Sequence, residues 1–74
     1  MDSFYNNTDI PGLGFRKVGE HIKISKMTSL YGTEKISIGN NVRIDDFCLL
    51  SGKVTIGNNV HIAAGCYIDR KSVV

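Results

Sequence analysis

A period of six residues governs this chain, and no helix repeats at six. Ile38, Ile44, Leu50, Ile56, Ile62, Ile68 and Val74 are aliphatic and stand six apart. Four residues after the first six of them come Val42, Cys48, Val54, Val60, Cys66 and Ser72, each small or β-branched. A helix face recurs at about 3.6 residues and a strand face at about 2, so neither element alone produces this spacing. A longer repeat is superposed on the short one. Segments 38–44 and 56–62 are the same sequence except for Arg43 against His61, and they lie eighteen residues apart. Three sixes then make one turn of a solenoid in which equivalent side chains return directly above themselves. Each six reads as a short flat strand and a corner. Positions one and five point inward, and the Gly-Asn-Asn runs at 39–41 and 57–59 occupy corners, since Gly and Asn tolerate left-handed backbone.

The 74 residues amount to one small domain, close to the size at which a single chain struggles to build a sufficient core, so help from a partner is expected. Nine Lys plus Arg against seven Asp plus Glu leave a mildly basic chain without a run of like charge. That balance argues against nucleic acid as a dedicated partner. No apolar run has the length of a membrane span, and the N-terminus lacks the order of a signal peptide, which together read as a cytoplasmic protein. Cys48 and Cys66 both fall on inward fifth positions. They are expected to stack as core thiols with Cα atoms roughly 4.8 Å apart. A catalytic thiol would need an exposed electropositive setting, and zinc would need more ligands, so no metal site is expected.

Residues 1–17 lie outside the repeat. Their turn-forming Asn6-Asn7-Thr8-Asp9 and Pro11-Gly12 allow a short helical turn at most. Phe4, Tyr5, Ile10, Leu13 and Phe15 are too many apolar residues for a free tail. The segment reads as a cap over the open first coil, which would otherwise expose core and strand edges. Residues 18–74 form the repeat domain. Its first coil runs Val18, Ile24, Leu30, with Ile22 and Thr28 inward. From Leu30 to Ile38 is eight residues, so a two-residue insertion bulges at the corner around residues 31–35, with Ile36 keeping an inward place. The reading of that bulge as a tolerated surface loop is favoured.

The motif of an aliphatic residue, a small residue, two variable positions, a small residue and one more variable position resembles that of the hexapeptide-repeat acyltransferases. The segment Leu13-Gly14-Phe15-Arg16-Lys17-Val18-Gly19 is similar to the entry into the β-helix of their sugar O-acetyltransferases, of the maltose and galactoside type. The resemblance implies an all-β fold, a left-handed parallel β-helix of about three coils behind an N-terminal capping segment. The handedness is the family's, since parallel crossovers are ordinarily right-handed. It also implies a homotrimer with an acetyl-CoA co-substrate lying between neighbours, and acyl transfer to a sugar or polysaccharide acceptor.

The family's general base is a histidine. His61 is the candidate here, on an outward sixth position above Arg43. Its Val-His-Ile context also reads as an ordinary repeat position, solvated or interfacial, and in the maltose and galactoside enzymes the histidine lies in a later Asp-His-type segment. His21, at the first corner, is a lesser candidate. The adjacent acids Asp45 and Asp46 are candidates for binding acceptor hydroxyls, because the matching pair one coil on is Ala63-Ala64 and the fold does not demand carboxylates there. Local turn hydrogen bonds are the competing role. Leu49 and Tyr67, outward and eighteen apart, with Phe47 nearby, form an apolar strip suited to a lateral trimer contact. An open last coil would let trimers associate end to end into a hexamer.

Two functions follow. One is an O-acetyltransferase-like protein of which this chain resembles a truncated N-terminal part, so that acetyl-CoA is not expected to bind tightly to these residues alone. The other is a non-catalytic β-helix module used for binding or assembly.

Overall fold

A computed structural model describes residues 3–74. Among the described residues ten short strands follow one another: β1 (Lys17–Val18), β2 (Ile22–Ile24), β3 (Ser29–Tyr31), β4 (Ile36–Ile38), β5 (Val42–Ile44), β6 (Leu49–Ser51), β7 (Lys53–Ile56), β8 (Val60–Ile62), β9 (Tyr67–Ile68) and β10 (Lys71–Val73). They sort into three parallel sheets, β1-β4-β7-β10, β2-β5-β8 and β3-β6-β9, so that every third strand is a hydrogen-bonded neighbour. This is a left-handed parallel β-helix with three flat faces.

Register carries the sequence repeat into space. Ile36 lies beside Val54 and Val54 beside Ser72; Ile38 pairs with Ile56, Val42 with Val60, Ile44 with Ile62 and Leu50 with Ile68. Between the first two coils the offset is twenty, as in Val18 with Ile38 and Ile22 with Val42. The two extra residues lie in the corner between β3 and β4, where Thr33–Lys35 form a single 3-10 turn. The corner is more than a bulge. Thr33 Oγ1 donates to the Leu13 carbonyl at 2.7 Å, and so fastens the N-terminal segment to the solenoid.

The interior is a column of aliphatic side chains. Ile24, Ile36, Ile38, Val42, Ile44, Leu50, Val54, Ile56 and Ile62 are all buried, with Cys48 beside them. Each large aliphatic group contributes roughly 1.5–3 kcal/mol on leaving water. Ile68 differs from its expected burial. It is half-buried, as are Val60 and Cys66, because residues of the last coil have a neighbouring coil on one side only.

Corners are made by left-handed residues. His21, Asn41 and Asn59 stack at one corner with φ of 59°, 59° and 58°, and Gly32, Gly52 and Arg70 at another with 63°, 89° and 62°. Left-handed backbone costs a non-glycine residue roughly 1–2 kcal/mol, and Asn offsets part of this with local hydrogen bonds. Here the bonds run from coil to coil. Asn41 Nδ2 donates to Asn59 Oδ1 at 2.7 Å, while the Glu20 and Asn40 backbone N–H groups donate to Asn40 Oδ1 and Asn58 Oδ1 at 2.8 and 2.7 Å.

Of the expected cap, Met1 and Asp2 lie outside the described residues. The remainder runs along the open edge of β2: Phe4 forms an antiparallel bridge with Ser25, and Tyr5 N–H donates to the Ile24 carbonyl at 2.8 Å. A 3-10 turn at Ile10–Leu13 then sends Ile10 into the core.

The closeness of the coils yields a stability test at Gly39. A Cβ there would stand 2.5 Å from Asn58 Oδ1 and 2.8 Å from the Gly57 carbonyl. Gly39→Ala is expected to destabilise by about 1–3 kcal/mol, since coil or side chain must shift. Gly12→Ala, where a Cβ meets nothing within 4 Å, is expected to stay within about 0.5 kcal/mol of the parent. Thermal unfolding of the two variants checks this, and equal melting temperatures would refute the close-approach account.

Candidate functional site

The outer face of β2-β5-β8 carries a connected set of polar groups. Side chains alternate between the two faces of a strand. With Val42 and Ile44 inward, Arg43 points out, and so do its ladder partners Lys23 and His61. Three groups that are cationic or can become so therefore stand one strand spacing apart. An open groove of about 560 Å³ runs along them, lined also by His21, Asn41 and Asn59.

Asp45 answers this charge. Its Oδ1 accepts from Arg43 Nε at 2.8 Å, and its Oδ2 lies 2.8 Å from His61 Nε2. The His61 and Asp45 side chains are 58% and 23% exposed, so the pair is reachable from solvent while the carboxylate is the more sheltered member. Phe4 adds a second support. Its ring centroid lies 5.3 Å from the Arg43 guanidinium carbon and 5.8 Å from Lys23 Nζ, within the range of cation–π attraction.

Asp46 turns the other way. It accepts from the hydroxyl of Ser25, which is fully buried one coil below and also accepts from the Met27 backbone N–H at 3.0 Å. The neighbouring acids thus diverge, Asp45 reaching up to the third coil and Asp46 down to the first. Both oxygens of Asp45 and one of Asp46 are engaged within the chain, and the other Asp46 oxygen has no partner among the described residues.

Cys48 is buried, and its Sγ donates to the Ala63 carbonyl at 3.1 Å; Cys66 is half-buried above it. Among the described residues no group of three or more His, Cys, Asp or Glu side chains could hold a metal, and no helix is long and apolar enough to cross a membrane. On the β3-β6-β9 face Leu49 pairs with Tyr67, which is 77% exposed, and Phe47 is 65% exposed at the adjacent corner. Sequence reasoning placed His61 above Arg43 but missed three members of the polar network: Arg43 as a partner of Asp45, Ser25 as a partner of Asp46, and Phe4. For Arg43 the signal was present in part, since Asp45 lies only two residues along the chain and His61 one coil on.

Fold and repeat together define a class, the parallel β-helix proteins built on six-residue units. Residues 35–70 match the family described as bacterial transferase hexapeptide (six repeats), and the chain is a hexapeptide-repeat protein. It is 51% identical over 49 residues to dTDP-4-amino-4,6-dideoxy-D-glucose acyltransferase of Escherichia coli, a match spanning 66% of this chain and 26% of that relative. Among solved structures it is similar to AntD, an N-acyltransferase from Bacillus cereus, in complex with dTDP and 3-hydroxybutyryl-CoA. There the identity is 57% and the TM-score 0.88, covering 90% of this chain and 36% of AntD. A variant of AntD in complex with dTDP-4-amino-4,6-dideoxyglucose and Coenzyme A matches equally well. The chain therefore spans about a third or less of the length of these relatives.

Hydrogen bonds from His61, and next from Arg43, hold the Asp45 carboxyl below its ordinary value. A depressed carboxyl contributes stability that is fully present above the unfolded-state value and is lost as pH falls through the folded one. The loss should therefore begin near pH 3.9, the usual aspartate value, and finish only below it. Carbon-detected NMR titration should place the Asp45 midpoint under about 3.9, and His61→Phe should move it upward. A parent midpoint at or above that value would contradict the observed contacts.

Proposed function

We propose that the chain is part of an acyltransferase that moves an acyl group from a coenzyme A thioester to the amino group of a nucleotide-linked amino sugar. The observation that carries this reading is the 57% identity and TM-score of 0.88 over 90% of the chain to AntD in complex with dTDP and 3-hydroxybutyryl-CoA. The resemblance seen in the sequence pointed to a hydroxyl acceptor and an acetyl donor. The relatives' names favour an amine acceptor, and one of the bound donors is a longer acyl thioester.

In such a reaction the sugar amine attacks the thioester carbonyl, the C–N bond forms, and the C–S bond breaks to release the coenzyme thiol. The amine must lose a proton, which the leaving thiolate takes up. His61 is the base we assign to the first proton transfer, being solvent-accessible and paired with a carboxylate. The free oxygen of Asp46 is the group we assign to an acceptor hydroxyl.

The assembly we propose is a trimer packed along Leu49, Tyr67 and Phe47. Two of these are large apolar residues left on the surface of a small domain, an arrangement that commonly marks an interface.

The test is an assay of coenzyme release by the protein with a dTDP-linked 4-amino sugar and an acyl-CoA. Release that depends on the amino sugar, and that falls about 100-fold or more in His61→Asn, is the expected result. A folded protein with no amine-dependent release would favour the binding or assembly module instead. Light scattering in dilute solution addresses the trimer: Tyr67→Asp is expected to dissociate it, and a parent mass of 8.1 kDa would reject it.

A further inference from the structure

We propose that Asp45 is a positioning residue that decides which nitrogen of His61 carries the proton, leaving Nδ1 as the basic one. An ionised carboxylate only accepts hydrogen bonds. With Oδ2 at 2.8 Å from His61 Nε2, the proton of the neutral imidazole must sit on Nε2. No other described group bonds to the ring, so Nδ1 keeps its lone pair for an incoming proton. Arg43 makes the arrangement directional. Its Nε is a donor and never an acceptor, and at 2.8 Å it occupies Oδ1, so the carboxylate is held at both oxygens and cannot turn away from the ring. The catalytic meaning of this control rests on His61 being the base assigned above; the tautomer itself does not.

The geometry makes a prediction that a merely structural contact would not. In Asp45→Asn the amide oxygen stays on the Arg43 side, because Arg43 Nε can only donate and an amide nitrogen there would set donor against donor. The amide nitrogen then faces His61 and donates to it, so Nε2 becomes the acceptor and the proton moves to Nδ1. This is the wrong-tautomer effect known when a catalytic carboxylate is made an amide. A free histidine prefers the Nε2–H form, so inversion in the variant is the decisive result.

Long-range proton–nitrogen NMR of the labelled protein, at a pH where the imidazole is neutral, reads the tautomer directly. The parent is expected to show a protonated Nε2, and Asp45→Asn a protonated Nδ1. Arg43→Leu alone should keep the parent pattern, because the carboxylate remains. Combining it with Asp45→Asn should abolish the inversion, because the amide is then free to turn. An Asp45→Asn variant that keeps the parent tautomer, with its backbone spectrum otherwise unchanged, overturns the proposal. In the turnover assay, inversion should accompany a kcat loss of about 10²–10⁴-fold with KM unchanged. Inversion with full turnover overturns the positioning role. Inversion in a protein that shows no turnover at all upholds the control of His61 by Asp45 and counts against the acyl-transfer reading alone.

Discussion

Everything in this molecule hangs on parallel backbone ladders that set each coil directly on the one below. Parallel strands lie about 4.8 Å apart, and the register keeps residues at the same place in the repeat in contact: Ile44 on Ile62, Arg43 beside His61, Leu49 beside Tyr67. The same requirement explains why small residues occupy the second position of the repeat. Gly19, Gly39 and Gly57 stack so closely that a Cβ on either of the lower two would meet backbone of the coil above. It explains the asparagines as well, since a side chain that bonds its own counterpart one coil on is satisfied by repetition alone.

Repetition that suits apolar groups is unfavourable for charged ones. Stacking like on like places Lys23 directly against Arg43 on one outer face, with His61 beyond, and like charges directly opposite destabilise a sheet. Asp45 supplies the opposite charge at the junction of the second and third coils, and Phe4 lays an aromatic face against the two lower cations. Asp46 makes the corresponding link downward to Ser25. The acid pair therefore ties three coils together from the middle one, which is where a pair of short side chains can reach both neighbours.

The core was legible in the sequence because burial and period coincide: an aliphatic residue every six positions can only be a stacked interior. The insertion was equally plain from the spacing of eight from Leu30 to Ile38, and the register places it at the corner where Thr33 holds Leu13. The site was less legible. His61 was read correctly as outward and above Arg43, since that follows from counting. The directions of the two carboxylates did not follow, because a corner residue has no alternation to obey. Ser25 was hidden by the insertion, which shifts the first coil to an offset of twenty and sets the Ser25 N–H on the Ile44 carbonyl, with its hydroxyl on Asp46. Phe4 was hidden because it belongs to no repeat; an antiparallel bridge to Ser25 brings it beside the cations.

The consequence for chemistry is that the polar site inherits its precision from the ladder. Arg43 and His61 lie in the middle of paired strands, so their Cα positions are fixed by backbone hydrogen bonds on both β5 and β8, and Asp45 follows immediately with its own N–H bonded to the Ile62 carbonyl at 3.0 Å. A carboxylate that directly follows β5, held by a residue of that strand and offered to one on β8, needs no flexible loop to find its partner. Sites carried on regular elements are held more precisely than sites on loops, where a displacement of 1 Å is enough to weaken catalysis. Here the freedom left to His61 is rotation of its ring, and that is the degree of freedom Asp45 removes.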